Sequence, residues 1–386
     1  MSIKRILCLT LCFALLLCCS ACKNVDTFTS SDCINTSSIK DNTSSTESTL
    51  TIDELEKEYG FSSIKDVKYY CVKNVPESDA IYTITQIINN HDNNVCDYTF
   101  DVLCENKDVK IDDKTITIPY SYLQKNNSIE LTVIHYLSNI TYNFTLKLEN
   151  EWTLLFEDNF DGTELNTEVW NVWDEKRDWR YSYSKDNMLL DSQGNLVNRM
   201  SVLKEPVAAT GETRTTGTIT TKDKFETTYG YFEIRMKPHQ AAGLMGAFWL
   251  MCGDMGDKDA ADDGTAVNGC EIDIVETFYH TKNPSHTIHW DGYTHTKSQG
   301  FNNQGRDDIF DGNFHTFAFL WTPEEYVFFI DNEITARTNE IDICNQPGYI
   351  LISSHFNSNA GELPIGVGEH TDMIVDYVKV YKNKNY

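Results

Sequence analysis

The sequence predicts an all-β protein made of two sandwiches, a small one followed by a larger one. Three observations carry that expectation. Short β-branched and aromatic runs alternate with polar residues and recur at roughly ten-residue spacing, separated by Asn, Asp and Lys clusters. Helical periodicity is nearly absent. All seven tryptophans lie between Trp152 and Trp321, which marks a boundary near Glu149–Glu151. A chain of 386 residues exceeds one ordinary core.

The first element is an address rather than a fold. Lys4 and Arg5 precede an apolar run, Ile6 to Leu17, too short to span a bilayer stably. The stretch Cys19-Ser20-Ala21-Cys22 resembles a bacterial lipoprotein cleavage box, with Cys22 as the lipidated first residue of the mature chain. Residues 1–21 are then a lipoprotein signal peptide, and the protein is anchored at the cell surface through Cys22. The alternative is cleavage by an ordinary signal peptidase and free secretion. Residues 22–50 are rich in Ser, Thr, Asn and Asp, the composition of a flexible tether.

Charge and cysteine usage limit the partners. The chain has 58 acidic against 32 basic residues, a net of -26. Clustered Lys and Arg supply affinity for phosphate backbones, so nucleic acid is excluded as a partner. Membrane contact is expected only through the lipid, and the protein is expected to be a monomer. Seven cysteines lie beyond Cys22: Cys33, Cys71, Cys96, Cys104, Cys252, Cys270 and Cys344. No CxxC spacing occurs among them, so zinc-ribbon and thioredoxin-type sites are not supported.

Residues 51–149 form the accessory unit. Thr51–Gly60 is a short helical candidate, acidic early and closed by Gly. Runs at Ala80–Ile88, Tyr98–Leu103, Thr115–Pro119, Ser128–His135 and Ile140–Leu148 follow as strands of a small sandwich. It resembles an immunoglobulin-like module. Having no Trp to stack on a sugar ring, it reads as a spacer.

Residues 150–386 stay β. Strands are expected at Tyr229–Lys237, Gly246–Cys252, Glu271–Phe278, Ser285–Trp290, His315–Trp321, Glu325–Asp331, Tyr349–Phe356 and Met373–Tyr381. So many strands in one unit pack as two sheets.

The chemistry concentrates in Glu271-Ile272-Asp273-Ile274-Val275-Glu276. Period-two alternation puts Glu271 and Asp273 on one face, with Ile272 and Ile274 on the other. Strict alternation would then turn Glu276 away. One extra residue, a β-bulge, brings it back, and bulges occur beside active sites. Three aligned carboxylates repel one another, so a merely structural strand has little use for them. Glycosidases need one ionised carboxylate as nucleophile and one protonated carboxyl as acid, and crowding drives pKa values apart. Across a bulge the α-carbons of Glu271 and Glu276 lie about 13 Å apart at ~3.3 Å per residue. Inward-bending side chains reduce the carboxyl separation to roughly 5–7 Å, which overlaps the retaining and inverting ranges. Spacing alone leaves the stereochemistry open.

This hexapeptide resembles the active-site strand of glycoside hydrolase family 16, in its bulged laminarinase-like branch. Other segments agree in order: Tyr229-Gly-Tyr-Phe-Glu-Ile-Arg235, Gly246-Ala-Phe-Trp-Leu250, His289-Trp290, His315-Thr-Phe before Trp321, and Asp376-Tyr-Val-Lys-Val-Tyr381. The resemblance implies a concanavalin-like β-jelly-roll whose concave sheet forms an open sugar cleft. It also implies retaining endo-hydrolysis of a β-linked polysaccharide, β-1,3- or β-1,3-1,4-glucan, with no cofactor for catalysis. By position Glu271 matches the nucleophile and Glu276 the acid/base. Asp273 matches the residue between them that tunes the pair. Trp249 matches a cleft tryptophan whose indole stacks on sugar C–H groups. Of the neighbours His289 and Trp290, one should face the sugar, and the resemblance favours His289. Trp179, Arg180 and Arg214 are candidates for the far subsites. A structural calcium would be expected near Gly194 and Asp376.

Three further readings stay open. The Asp-rich loop Gly253–Gly269 could bind calcium but lacks EF-hand spacing, so it reads as a solvated insertion. Cys252 and Cys270 bracket that loop, as a disulfide or as two buried thiols. The histidines at 280, 286, 289 and 295 read as structural rather than metal-binding, because HxxH on a strand sends its two rings to opposite faces. Leu244-Met245-Gly246 replaces the family's usual Trp-Pro, so the substrate is less fixed than the reaction. An endo-β-galactosidase for agar-like or host glycans and a transglycosylase are the enzymatic alternatives. A catalytically silent lectin is the alternative of another class.

Overall fold

The computed structural model describes residues 64–89, 95–96, 100–135, 140–148, 152–174, 177–178, 181–255, 263–303, 305–357, 362 and 364–386. Cys22, the tether, the helix expected at 51–60, Trp179, Arg180 and residues 256–262 of the Asp-rich loop lie outside these residues. The described part is almost entirely β.

Two small sheets come first. Ile64–Lys73, Ala80–Asn89, Thr115–Ile118 and Lys110–Asp112 form one in that order. Phe100–Leu103, Ser128–His135 and Thr141–Lys147 form the other. Their inward residues, including Ile84, Ile116, Val102, Val133 and Leu146, share one core. That core is separate from the large one. Val75 leaves it to pack with Tyr231, Val327 and Phe329. Lys73 Nζ donates to the Asn332 carbonyl at 2.8 Å, and Arg337 donates to the Val72 carbonyl at 2.7 Å.

Two large sheets make the jelly-roll sandwich that the sequence predicts. Five long strands of the cleft sheet are labelled here β1 (Leu244–Gly253), β2 (Gly269–Phe278), β3 (Ser285–Trp290), β4 (Lys297–Asn302) and β5 (Gly348–Phe356). Their spatial order is β5-β1-β2-β3-β4, with Thr218–Thr220 and Asn171–Val172 continuing beyond β5. The opposing sheet centres on His370–Asn383, Gly230–Lys237, His315–Trp321 and Tyr326–Ile330. Phe248, Leu250, Ile272, Ile288 and Ile352 from the cleft sheet meet Phe232, Ile234, Phe317, Phe319 and Val378 from the other in one core. Burying such side chains contributes about 1.5–3 kcal/mol each, which fixes the strand register that carries the site.

Cys252 and Cys270 are direct cross-strand partners, both turned into this core. Cys344 joins them, with the three sulfurs within 4.8 Å of one another and unlinked. Of the two sequence readings, the structure holds buried thiols.

Candidate active site

The site begins with an irregularity in β2. Against β1, Phe248 pairs with Val275 and Trp249 with Asp273, so Ile274 is unopposed. Against β3, Asp273 pairs with Thr287 and Glu276 with Ser285, again one residue too many on β2. Ile274 and Val275 both sink fully into the core. That double burial shifts the alternation by one and returns Glu276 to the face of Glu271 and Asp273.

A bulge disrupts the ladder, and His286 repairs it. Its Nδ1 lies 2.5 Å from the Ile274 carbonyl. A carbonyl only accepts, so Nδ1 carries the proton and Nε2 accepts from Thr335 Oγ1 at 2.8 Å. Complete burial lowers the imidazole pKa to about 4, which keeps the ring neutral. The ring also stacks on Phe328, with centroids 4.7 Å apart. His286 and His289 therefore serve opposite faces of β3, as alternation requires.

The three carboxylates crowd a half-dry cleft floor. The side chains of Glu271 and Asp273 are only 14% and 9% exposed. His289 Nε2 stands 3.3 Å from Asp273 Oδ2 and 3.9 Å from Glu271 Oε1. Tyr293 donates its hydroxyl to Glu271 Oε2. Ser285 Oγ donates to Glu276 Oε2 at 3.3 Å. Burial, then the charge of Asp273, pushes Glu271 up to about 8, against the opposing pull of Tyr293 and His289. Burial and then Glu276 raise Asp273 well above the carboxylate range. Burial raises Glu276 too, opposed by His289, Ser285 and Thr287.

Beside the acids, Trp249 sits with Trp173, Met251, Leu351 and Tyr349 in an apolar patch separate from the main core. Its Nε1 donates to Ser353 Oγ at 2.9 Å, and His355 Nε2 lies 2.9 Å from that same oxygen. His355 Nδ1 meets Tyr181 OH at 2.6 Å. This chain joins β1, β5 and the strand Tyr181–Tyr183. Sequence reasoning missed Tyr181, Ser353, His355 and Tyr293, because no local motif links segments so far apart. Arg214 is exposed on its strand and lies over the Phe356 ring at 5.5 Å from the centroid. Of the two neighbours, His289 stands beside the acids, as favoured, and Trp290 packs partly buried against the main core.

The metal expectations fare differently. Asp376 lies at a register shift in its strand pairing and accepts a hydrogen bond from Arg235. Gly194 has φ +79, and its Cβ position would strike Asp161 Oδ1 at 2.7 Å. Neither residue belongs to a convergent group of metal-ligating side chains among the described residues. Asp263 of the loop accepts from Thr265 N–H and Asn268 Nδ2. Asp308, His315 and Asp331 do converge, within 4.8 Å, but Arg306 already pairs with both carboxylates.

Fold and site together define a jelly-roll sandwich with a row of three carboxylates on one face of a sheet. Residues 175–363 match the family model described as Glycosyl hydrolases family 16, so the chain carries a domain of that family. The endo-1,3-1,4-beta-glycanase EglC of Rhizobium meliloti is 28% identical over 62% of this chain and 54% of its own length. The beta-glucanase of Rhodothermus marinus is 26% identical, covering 60% of this chain and 85% of that protein. The keratan-sulfate endo-1,4-beta-galactosidase of Sphingobacterium multivorum is 28% identical over 64% and 58%. The chain spans about half the length of the first two curated relatives it matches. Among solved structures, the laminarinase catalytic domain of Thermotoga maritima shares the fold. Its TM-score is 0.51 and its identity 21%, over 61% of this chain and all of that one.

Proposed function

We propose that the protein is a retaining, endo-acting glycoside hydrolase that cleaves a β-linked polysaccharide, with β-1,3- or β-1,3-1,4-glucan as substrate. The bulge at Ile274 is the observation that carries this reading, because it sets a third carboxylate on a face where two already repel. Glu271 attacks the anomeric carbon. Glu276 protonates the leaving glycosidic oxygen, then deprotonates the water that releases the sugar. Burial of Asp273, the deepest of the three, and then the charge of Glu276 raise its carboxyl pKa and favour its protonated form. With Asp273 neutral, the second cause of the high Glu271 pKa disappears, and Tyr293 and His289 favour its ionised form. Trp249 offers its indole to the sugar faces. Glucanase names among the relatives support the substrate.

A second reading is an endo-β-galactosidase on host or agar-like glycans. The keratan-sulfate relative and Leu244-Met245-Gly246 beside the cleft favour it. Incubating the mature protein with laminarin, lichenan, agarose and mucin glycans, and sequencing the oligosaccharides, separates the two. Glucan oligosaccharides support the first reading, whereas products from agarose or mucin alone replace it with the second. Transfer products longer than the substrate indicate a transglycosylase. Binding without cleavage by any preparation indicates a lectin. We further propose a lipid anchor at Cys22 on a surface-held monomer and a structural calcium near Gly194 and Asp376. An unmodified Cys22 by mass spectrometry refutes the anchor.

A further inference from the structure

We propose that Tyr293 is a positioning residue of the active site, held on a preformed arm so that its hydroxyl fixes one oxygen of Glu271 and leaves the other to attack. The inference rests on the glycosidase reading above.

The arm follows β3 directly. Asp291 and Gly292 both adopt left-handed backbone, φ 66 and φ 64, and the turn they make precedes Tyr293, whose hydroxyl reaches Glu271. Gly adopts φ > 0 freely and Asp is among the few side chains that tolerate it. The turn is locked from beneath. The Asp291 side chain is fully buried, its Oδ2 lies 2.6 Å from Lys297 Nζ, and its Oδ1 accepts from Gly264 N–H at 2.9 Å. Thr296 Oγ1 donates to the Gly292 carbonyl at 2.5 Å, closing the loop on itself. Tyr293 at the tip is 56% exposed, so packing of its ring contributes little to the fold. Its hydroxyl nevertheless lands on Glu271 Oε2. Burying the Asp291 carboxylate beneath a half-exposed Lys297 is an expensive way to shape a surface turn, and it makes sense where a fixed geometry is needed.

The contact divides the two oxygens of Glu271. Oε2 accepts the phenolic O–H, while Oε1 faces His289 Nε2 at 3.9 Å, beyond hydrogen-bonding distance. In the covalent step a bond forms between Oε1 and the anomeric carbon. The bond from that carbon to the glycosidic oxygen breaks with its electron pair, and the oxygen takes the Glu276 proton. Tyr293 keeps its own proton throughout, since burial, then the charge of Glu271, raises its pKa far beyond neutrality. The titratable groups on the cleft side around Glu271 are Asp273 and Glu276 on its own strand, His289 on β3, Tyr293 on the arm and Tyr349 on β5. Of these groups, Tyr293 and His289 lower its pKa.

Removing the hydroxyl therefore raises the Glu271 pKa, and the acidic limb of the kcat/KM–pH profile moves upward. Tyr293→Phe, Asp291→Asn and the double variant are compared with wild type on whichever polysaccharide wild type cleaves. Tyr293→Phe is expected to lower kcat about 10- to 100-fold with KM within about threefold, and to move the acidic limb up by about one pH unit. Asp291→Asn acts through Tyr293, so it produces a smaller loss in the same direction. The double variant is no worse than Tyr293→Phe alone. An unmoved acidic limb in a folded Tyr293→Phe protein, or losses that simply multiply in the double variant, overturns the proposal. If wild type cleaves nothing, the glycosidase reading fails instead, and the two failures are told apart by the wild-type arm.

Discussion

Two groups of carboxylates in the large sandwich are handled in opposite ways. Around Arg306, each acid has a donor. Arg306 pairs with Asp308 at 3.0 Å and Asp331 at 2.8 Å, and His315 bridges Asp331 and Asp311 at 2.8 and 3.2 Å. The Arg306 hydrogen bond holds Asp308 below its ordinary value. The Asn313 backbone N–H, with the Asn313 side chain and His315, takes Asp311 down to about 2. His315 is raised, because its carboxylate partners outweigh the effect of burial. In the cleft, Glu271, Asp273 and Glu276 are half-dry, mutually repelling and raised. The Arg306 cluster neutralises its crowded acids, so three crowded acids that have, among the described residues, only His289 as an ion-pair partner have a purpose beyond stability.

Removing either terminal cleft acid should break this contrast most sharply. Glu271→Gln or Glu276→Gln is expected to lower kcat by about 1000-fold or more with the fold intact. Product assays and thermal unfolding together check this, and full turnover in both variants removes the chemical half of the contrast.

A smaller effect is expected from the core. His286→Leu removes the donor to the Ile274 carbonyl, and an unsatisfied buried group costs about 1–3 kcal/mol. The bulge should relax and Glu276 should lose its aim, for an expected kcat loss of about 10- to 100-fold. A melting temperature that falls without any change in kcat would make His286 a packing residue only.

The smallest effects are in stability, and they carry opposite signs. Glu271 is raised, so its contribution is fully present below its unfolded value near 4.3 and is lost as pH rises through about 8. Glu271→Gln should therefore melt higher than wild type at pH 8, with the gap closing near pH 4. The Asp308 contribution is present above its unfolded value and lost as pH falls through its depressed folded one. Arg306→Gln should melt roughly 1–3 °C lower at pH 7. Melting curves for both variants across pH test the pair, and shifts of the same sign would erase the distinction.

Much of this was legible in the sequence. Ser128–His135, Ser285–Trp290 and His315–Trp321 were readable with their observed ends, because their alternation is strong and flanking turns stop it. The acidic face and its bulge were readable because three carboxylates in six residues make little sense otherwise. Lys297–Asn302 was not, since a polar edge strand containing Gly300 has no apolar face to announce it. The choice between His289 and Trp290 was readable only in part, because one of two adjacent residues on a strand must face each way and register decides which. Tyr293 was invisible because its position depends on a left-handed turn and an ion pair, neither of which is periodic.

The configuration of the first product tests the central claim most directly. Laminarin or lichenan is digested in an NMR tube and the anomeric proton of the new reducing end is followed before mutarotation. Attack by Glu271 followed by water gives the β-anomer first. An initial α-anomer, or no cleavage of either glucan, contradicts the account.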